Sequence, residues 1–269
     1  MIQVFDMHTH TRFSPDSDAS ETELLKRAEK LGLRGVAITD HCECNVFYSE
    51  KYYSSYDESY RAILSLKKDF NSDSFTVLTG IELGQFNQNP KTGEKILEKY
   101  HFDYVLGALH NIIGFPDFYF VDFNRCDPVF FLSRYFEELE EICRLNFFDC
   151  LAHILYPFRY INSVYHKNIP LSDFYPQIDN VLKILIENKK ALELNTSGVR
   201  KKTDDYSDTL EVLKRFSSLG GNRICLGSDA HYPEQAGMDF KQALTDLKAL
   251  GFTKLCRFKD RKIQFQEII

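Results

Sequence analysis

The feature that most constrains the fold is a regular alternation of short apolar segments with amphipathic stretches. Seven such apolar segments predict β-strands at residues 2–5, 35–39, 75–81, 104–109, 150–152, 191–194 and 223–226. Strands that alternate with helices form parallel sheets, and almost wholly apolar strands are typical of sheets covered on both faces. The sequence therefore predicts an α/β fold with helices packed around a parallel sheet.

The segments between these strands have helical periodicity and recognisable helix signals. The predicted helices cover residues 22–31, 57–70, 91–99, 128–145, 173–188, 207–219 and 234–250. Ser20-Glu21-Thr22-Glu23 forms a capping box, Gly32 ends the first helix, and Pro128 suits a first helical position. Residues 254–268 are expected to add an edge strand. We find no repeat or linker, so the sequence predicts a single barrel-type domain over residues 1–269.

The overall composition excludes several functional classes. The chain has 269 residues, of which 43% are hydrophobic and 27% are charged, and its net charge of −6 provides no basic field for nucleic acid or anionic membrane. No apolar run approaches the roughly 20 residues that span a bilayer. We see no secretory signal, and the seven cysteines lack a disulfide-like spacing. We therefore expect a cytoplasmic protein with free thiols and neither nucleic-acid nor membrane partners.

Potential metal ligands follow the predicted strands. His8 and His10 belong to the stretch Asp6–Thr11, which comes directly after the first strand, and side chains two residues apart in extended chain point to the same side. In a closed βα barrel, the carboxyl ends of all strands face one cavity, whereas an open sheet would spread them along a line. A barrel therefore best explains the residues found at these ends, which are His8, His10, His41, Glu82, His110, His153, Asp229 and His231. The other two histidines, His101 and His166, are predicted to be surface residues.

Taken in chain order, these residues resemble the metal-binding series of the PHP (polymerase and histidinol phosphatase) superfamily. The matching positions are His8, His10, Asp16, Asp40, His41, Glu82, His110, His153, Asp229 and His231. The resemblance implies a distorted (β/α)7 barrel, similar to a TIM barrel, with its metal site at the C-terminal ends of the strands. It covers nearly the whole chain, from residue 6 to residue 231.

The same resemblance implies how the ligands divide among about two to three divalent transition metals, namely zinc, iron or manganese. One metal would be held by His8, His10, Glu82 and Asp229, and a second by Glu82, His110 and His153, with Glu82 bridging the two. A third would be held by Asp16, His41 and His231. Some branches of the superfamily carry a histidine where this chain has Asp16, which favours iron or manganese over zinc at the third site.

Two further segments are similar to the histidinol-phosphatase branch of the superfamily. They are Asn195-Thr196-Ser197-Gly198-Val199-Arg200 after the sixth strand and Phe158-Arg159 after the fifth. The resemblance implies that Arg159 and Arg200 hold the phosphate of a small phosphomonoester, and guanidinium groups match phosphate oxygens in a bidentate way. The aromatic loop at residues 115–123 either forms an apolar wall for the substrate or only packs the barrel rim.

This branch hydrolyses L-histidinol phosphate in histidine biosynthesis, so the resemblance implies a phosphoric monoester hydrolase. Bridged metals supply a hydroxide that attacks phosphorus, and Glu82 and Asp229 are the predicted catalytic residues. Either Asp229 or a metal-bound water protonates the leaving alkoxide. Two alternatives remain at this point: a phosphoesterase for another phosphorylated small molecule, and a PHP module that binds metal without catalysis. The oligomeric state is not predicted.

Several residues near the predicted site have more than one interpretation. Asp40 can orient a histidine ligand, bind a substrate amine or cap the next segment. Glu43 either meets a cationic substrate or is simply exposed. Arg200 begins a basic triplet that is typical of a solvated face, and Asn195 and Ser197 suit a plain turn.

Overall fold

Eight strands of the described chain form one parallel sheet. The structure is a computed structural model, and it describes residues 3–201, 203 and 205–268. The strands are β1 Phe5–Thr9, β2 Gly35–Ile38, β3 His41–Glu43, β4 Thr76–Gly84, β5 Tyr104–Ala108, β6 Cys150–Leu151, β7 Ala191–Asn195 and β8 Ile224–Gly227. Their order is β1-β2-β4-β5-β6-β7-β8, and β3 pairs with the second half of β4.

The two ends of this sheet meet at a seam between β1 and the residues that follow β8. Thr9 and Ala230 form a parallel bridge. The Asp229 amide donates to the His8 carbonyl at 2.8 Å, and the His10 amide donates to the Ala230 carbonyl at the same distance. The sheet is therefore closed, which confirms the predicted distorted (β/α)7 barrel.

Helices surround the barrel. They are α1 Glu21–Leu31, α2 Tyr52–Phe70, α3 Pro90–Lys99, α4 Pro128–Leu145, α5 Tyr156–Phe158, α6 Tyr175–Glu187, α7 Ser197–Lys201, α8 Asp205–Ser218 and α9 Phe240–Ala249. A π-helical turn, Arg159–Val164, continues directly from α5. Among the described helices, none is both long enough and apolar enough to cross a bilayer.

The last helix is shorter than predicted. The sequence predicts one helix over residues 234–250, whereas the structure has a 3-10 turn at Pro233–Gln235 and begins α9 only at Phe240. Gly237 and Asp239, both with φ of 64°, interrupt the helix because left-handed residues cannot continue it. The Gly237 amide donates to Asp6 Oδ2 at 2.9 Å, so this break fastens the segment to the first strand.

The first strand begins later than the apolar pattern predicts. The prediction placed it at residues 2–5, of which Ile2 lies outside the described residues, while β1 covers Phe5–Thr9. The buried Asp6 carboxylate is stabilised there by the amide of Ser228 at 2.9 Å and its hydroxyl at 2.6 Å. These partners lie more than two hundred positions away in the chain, so the local sequence pattern cannot indicate them.

The tail forms a hairpin of its own and not an edge strand of the barrel. Strands β9 Lys254–Lys259 and β10 Lys262–Glu267 pair antiparallel in a separate sheet. The hairpin turn is anchored just before β5, where Asp103 Oδ1 accepts from the Asp260 amide at 3.2 Å and the Asp103 carbonyl accepts from the Arg261 amide at 3.0 Å. The hairpin therefore covers the end of the barrel opposite to the predicted metal site.

The core has two parts. A smaller cluster joins residues of the barrel strands and their ends to two residues of the hairpin, and it consists of Phe5, Met7, Ala37, Leu78, Tyr104, Leu106, Ala108, Cys150, Ala152, Ala191, Cys225, Cys256 and Phe258. A larger apolar layer fills the space between the strands and the surrounding helices. All seven cysteines are free thiols, as the sequence predicts.

Candidate metal centre

The C-terminal end of the barrel holds a dense cluster of buried histidine and carboxylate side chains. The structure brings together all of the predicted ligands, which are His8, His10, Asp16, His41, Glu82, His110, His153, Asp229 and His231. His101 and His166 lie away from this cluster and are exposed, as predicted. The cluster contains five histidines that are less than 15% exposed at the side chain, which are His8, His10, His41, His110 and His153.

Glu82 stands at the centre of the cluster, and its two carboxylate oxygens face different histidine pairs. Oε1 lies 2.9 Å from Nε2 of His153 and 3.3 Å from Nε2 of His110. Oε2 lies 3.5 Å from Nε2 of both His8 and His10. This carboxylate therefore has the position expected of a bridge between two metal pockets.

The first pocket lies at the C-terminal end of β1, where His8 and His10 are located. Nε2 of His8 and Nε2 of His10 lie only 2.9 Å apart. Asp229 Oδ1 is 3.7 Å from the former and 3.5 Å from the latter. Donor atoms that share one ion at about 2.0–2.2 Å are themselves about 3–3.5 Å apart, so these separations suit a common metal.

A third group lies nearer to the surface. Asp16 Oδ2 is 3.0 Å from Nε2 of His231, and Asp16 Oδ1 is 3.5 Å from Nε2 of His41. The Asp16 side chain is 56% exposed, in contrast to the fully buried Glu82. The three residues predicted to act together are thus neighbours, in a more open part of the cavity.

The donor atoms fit divalent metal ions on several grounds. Four groups of side chains each offer ligand atoms within 4.8 Å of one another, which are His8, His10 and Glu82; Glu82, His110 and His153; His10, His41 and His231; and His41, Glu43 and His110. Oε2 of Glu82 and Nδ1 of His41 are both buried and lie 2.9 Å apart. Neither atom makes a hydrogen bond to a described residue. Imidazole and carboxylate donors in this mixture suit zinc, iron and manganese.

Burial and neighbouring charges shift the pKa values of several side chains in the cluster. Burial alone would lower the pKa of His8, but Glu193, Glu82 and Asp229 outweigh it and raise that pKa well above its usual value. Burial and the neighbouring His41 and His231 lower the pKa of His10 to about 3. Burial would raise the pKa of Glu82 and of Asp229, yet the surrounding histidines hold both well below the usual range. Both carboxylates are therefore negatively charged at neutral pH, and His10 is neutral.

Two buried carboxylates touch this cluster without having been predicted as ligands. Glu193, in β7, lies 2.6 Å from Nδ1 of His8 through its Oε1. Glu43 lies 3.0 Å from Nδ1 of His110 and is only 8% exposed, so the interpretation of Glu43 as an exposed residue is wrong. Glu193 is not among the ligands predicted from the sequence, although a single carboxylate inside the apolar strand Ala-Leu-Glu-Leu is a signal that indicates it.

Asp40 lies behind the cluster and reaches it through a serine. Its carboxylate accepts from the Thr11 amide at 2.6 Å, the Ser59 hydroxyl at 2.6 Å and the Ser14 hydroxyl at 2.9 Å. Ser14 Oγ in turn lies 3.1 Å from Nδ1 of His10. Asp40 is 1% exposed, so among its three interpretations the indirect support of a histidine agrees best with these contacts.

The two predicted phosphate-binding arginines have different surroundings. Arg159 is 6% exposed, and its Nη2 donates to Ser197 Oγ at 2.8 Å. Arg200 donates from Nη1 and Nη2 to the carbonyl oxygens of Ser228 and Asp229. Burial lowers the pKa of Arg200, the charge of Asp229 opposes that shift, and the like charge of Arg159 adds to it.

Asn195 and Ser197 form part of a network and are not plain turn residues. Asn195 Oδ1 accepts from the Ser197 amide at 2.9 Å and from its hydroxyl at 2.6 Å. Asn195 Nδ2 donates to Asp229 Oδ2 at 3.3 Å. The network therefore connects Arg159, through these two residues, to a predicted metal ligand.

The aromatic loop divides its rings between the interior and the solvent. Phe118 and Phe123 are each 1% exposed and pack with Phe131 of α4, whereas Tyr119 and Phe120 are 66% and 72% exposed. The interior rings support the interpretation that this loop packs the barrel rim. A different ring faces the cluster: Tyr156 lies 5.0 Å from the rings of both His110 and His153.

Comparison with known proteins agrees with this fold. The family model described as the PHP domain matches residues 6–197. The chain belongs to the PHP domain family. It is 35% identical, over 93% of its length and 97% of the relative, to a protein of Clostridium acetobutylicum named probable histidinol-phosphatase.

Two further comparisons involve Lactococcus lactis. The chain is 26% identical to that organism's histidinol-phosphatase, over 97% of both proteins. The crystal structure of the Lactococcus lactis histidinol phosphate phosphatase, complexed with zinc, L-histidinol and phosphate, superposes with a TM-score of 0.79. That alignment covers 97% of this chain and all of the crystallised one at 22% identity, so it shows the fold.

Proposed function

We propose that this protein is a metal-dependent phosphomonoesterase and, more specifically, a histidinol-phosphatase that converts L-histidinol phosphate and water into L-histidinol and phosphate. The single observation that carries the proposal is Glu82, whose two oxygens face two histidine pairs within 3.5 Å. The names of the relatives support the choice of substrate within that class of reaction.

The proposed ligand sets follow the distances within the cluster. His8, His10, Glu82 and Asp229 would hold one metal, and Glu82, His110 and His153 a second. Asp16, His41 and His231 would hold a third, at the more open position. We propose about two to three ions per chain, chosen among zinc, iron and manganese because the ligands are imidazole nitrogens and carboxylate oxygens.

When bound, such metals lower the pKa of water, which provides a hydroxide nucleophile at neutral pH. The protein's own residues bind and orient the ester. The Arg159 guanidinium, held by Ser197, and the Arg200 guanidinium, held by two carbonyl oxygens, place positive charge where the phosphate oxygens gain negative charge. We propose that the Asp229 carboxylate takes the proton that the attacking water gives up and passes it to the leaving alkoxide, so that no net proton is gained or lost.

The test is phosphate release from a panel of esters by the metal-loaded protein. We expect L-histidinol phosphate to be hydrolysed with the highest kcat/KM, and a diester such as bis-p-nitrophenyl phosphate to react much more slowly. A preference for another phosphomonoester would support the proposed class of reaction but would refute L-histidinol phosphate as the substrate. The absence of hydrolysis for every ester, with metals bound, would indicate a metal-binding module without catalysis and would refute the proposal.

A further inference from the structure

The two histidine pairs around Glu82 share an arrangement that extends beyond the predicted ligands. Nε2 of His8 faces Glu82 Oε2, and Nε2 of His110 faces Glu82 Oε1, at 3.5 and 3.3 Å. On the opposite side of each ring, Nδ1 meets a buried carboxylate, which is Glu193 for His8 and Glu43 for His110. The five side chains form a continuous chain of contacts in the order Glu193, His8, Glu82, His110 and Glu43. Glu82 lies at its centre, and the two glutamates at its ends have no predicted role as ligands.

Glu193 is fully engaged in this position. Its Oε1 is 2.6 Å from Nδ1 of His8, and its Oε2 accepts from the His153 amide at 2.8 Å and from Asn195 Nδ2 at 3.2 Å. It is 1% exposed. The neighbouring strand leaves room for it only because residue 227 is glycine, since a Cβ there would overlap the Glu193 carboxylate.

Glu43 occupies the matching position at the other pocket. Its Oε1 is 3.0 Å from Nδ1 of His110 and 3.4 Å from Nδ1 of His41, and the residue is 8% exposed. Its Oε2 is buried without a hydrogen-bond partner. Here again a glycine makes room, because a Cβ on Gly84 would overlap this carboxylate.

A carboxylate that accepts a hydrogen bond from Nδ1–H fixes both the tautomer and the orientation of a histidine, so that the Nε2 lone pair is directed at a metal. We propose that Glu193 and Glu43 are positioning residues, one for each metal pocket, which hold His8 and His110 with Nε2 directed toward the pockets that share Glu82. The proposal rests on the metal assignment made above. It adds two residues that act through histidines and do not themselves need to touch the substrate.

The test is a zinc titration of the chelator-stripped full chain in competition with a chromophoric chelator, which resolves the stepwise dissociation constants. We expect Glu193→Gln and Glu43→Gln each to raise one dissociation constant by about ten- to a hundredfold. The two variants should affect different steps, since their histidines belong to different pockets. Glu138→Gln is the matched control, because Glu138 is 2% exposed and accepts from the Ile113 amide at 2.9 Å without contacting a histidine.

Thermal unfolding of the metal-free variants separates positioning from a purely structural role. Lower stability with unchanged zinc affinity would overturn the proposal, and so would a shift of the same step in both variants. If Glu193→Gln does not fold, Glu193→Asp provides the second variant, because it keeps the charge but is too short to reach Nδ1 and should weaken zinc binding similarly. A protein that shows these shifts but does not hydrolyse histidinol phosphate would refute the proposed function and leave the positioning roles intact.

Discussion

Arg200 donates from Nη2 to the main-chain carbonyl oxygen of Asp229 at 2.6 Å, and from Nη1 to the preceding carbonyl of Ser228 at 2.5 Å. Asp229 itself has a φ of 53°, in the left-handed region that a non-glycine residue adopts at a cost. The guanidinium thus stabilises a strained turn whose side chain belongs to the candidate metal centre. A residue that the sequence analysis assigned to phosphate binding also holds a predicted metal ligand in place.

This difference between the two arginines gives a prediction about their substitution. Arg159→Ala should lower kcat/KM for histidinol phosphate about ten- to a hundredfold, equivalent to a lost charge-assisted contact of about 1.5–3 kcal/mol, with zinc content unchanged. Arg200→Ala should cost more and should also weaken metal binding, because the Asp229 turn loses two donors. Steady-state kinetics with elemental analysis measures both effects. Arg144→Ala, an exposed arginine on α4, is the control, and equal activity in all three variants would contradict the assignment.

Glu82→Gln removes the charge that faces both histidine pairs while nearly preserving side-chain volume. We expect zinc affinity and turnover to fall by more than about a hundredfold, which exceeds the usual effect of a partner that only supports a ligand. The circular dichroism spectrum should stay unchanged, because the apolar core does not depend on this carboxylate. Glu187→Gln, at the exposed end of α6, is the control. Wild-type turnover in Glu82→Gln would show that the central role of Glu82 is wrong.

Removal of the metals should abolish activity reversibly. Elemental analysis of the purified protein should give about two to three ions of zinc, iron or manganese per chain, because the proposed ligands form two sets that share Glu82 and a third set of Asp16, His41 and His231. Dialysis against a chelator should abolish phosphate release, and adding back one of these ions should restore it. Full activity with less than about one ion per chain would exclude the proposed mechanism.

The division of the aromatic loop between interior and solvent predicts that substitutions at two nearby positions differ strongly in their effect on stability. Phe118→Ala should destabilise the protein by about 3–5 kcal/mol, because Phe118 is 1% exposed and its ring lies 5.6 Å from that of Tyr135. Phe120→Ala should change stability by less than about 0.5 kcal/mol, since the residue is 72% exposed. Chemical denaturation measures both values. Equal losses would mean that the loop packs differently.

Asp103 gives a prediction about acid stability. Burial would raise its pKa, but Lys67, at 2.6 Å, and the Thr79 amide, at 2.9 Å, lower it. A pKa that is lower in the folded state stabilises the protein above the unfolded value of about 3.9, and this contribution is lost as the pH falls through the folded value. Asp103→Asn should therefore cost about 1.5–3 kcal/mol at pH 7, and the difference from the parent should shrink below about pH 4.

Thermal unfolding measured from pH 7 to pH 3 tests this prediction. Asp69→Asn, an exposed position on α2, should match the parent throughout. A penalty for Asp103→Asn that does not depend on pH would indicate that the charge of Asp103 contributes nothing to stability.

Most of this architecture can be predicted from the sequence, because the apolar segments indicate the strands and the metal-ligand residues occur close to the ends of those segments. His110 and His153 follow apolar strands directly, so the pattern places them without knowledge of the tertiary structure. Glu82 and His8 lie inside their strands, near the C-terminal ends, and a shift of three to four residues in the C-terminal boundaries of these strands did not affect their assignment. The barrel rule requires only that a residue lies near the correct end of its strand.

The sequence could not reveal relationships that depend on distant partners. Glu193 stands out in the sequence as a lone carboxylate in an apolar strand, but its partner His8, 185 residues away, is evident only from the structure. The tail is predicted as one edge strand, and only the structure shows that β9 and β10 pair with each other and are anchored by contacts of Asp260 and Arg261 with Asp103. The break before α9 likewise depends on Asp6, which accepts from the Gly237 amide.

The seam between β1 and the residues after β8 has a consequence for the order of folding. It joins the His8–His10 segment to the Asp229–His231 segment through two main-chain hydrogen bonds. Contacts between such distant parts of a chain carry a high entropic cost of loop closure and form late. The first metal pocket therefore cannot assemble before the barrel has closed, and zinc binding during refolding should report the closing of this seam in real time.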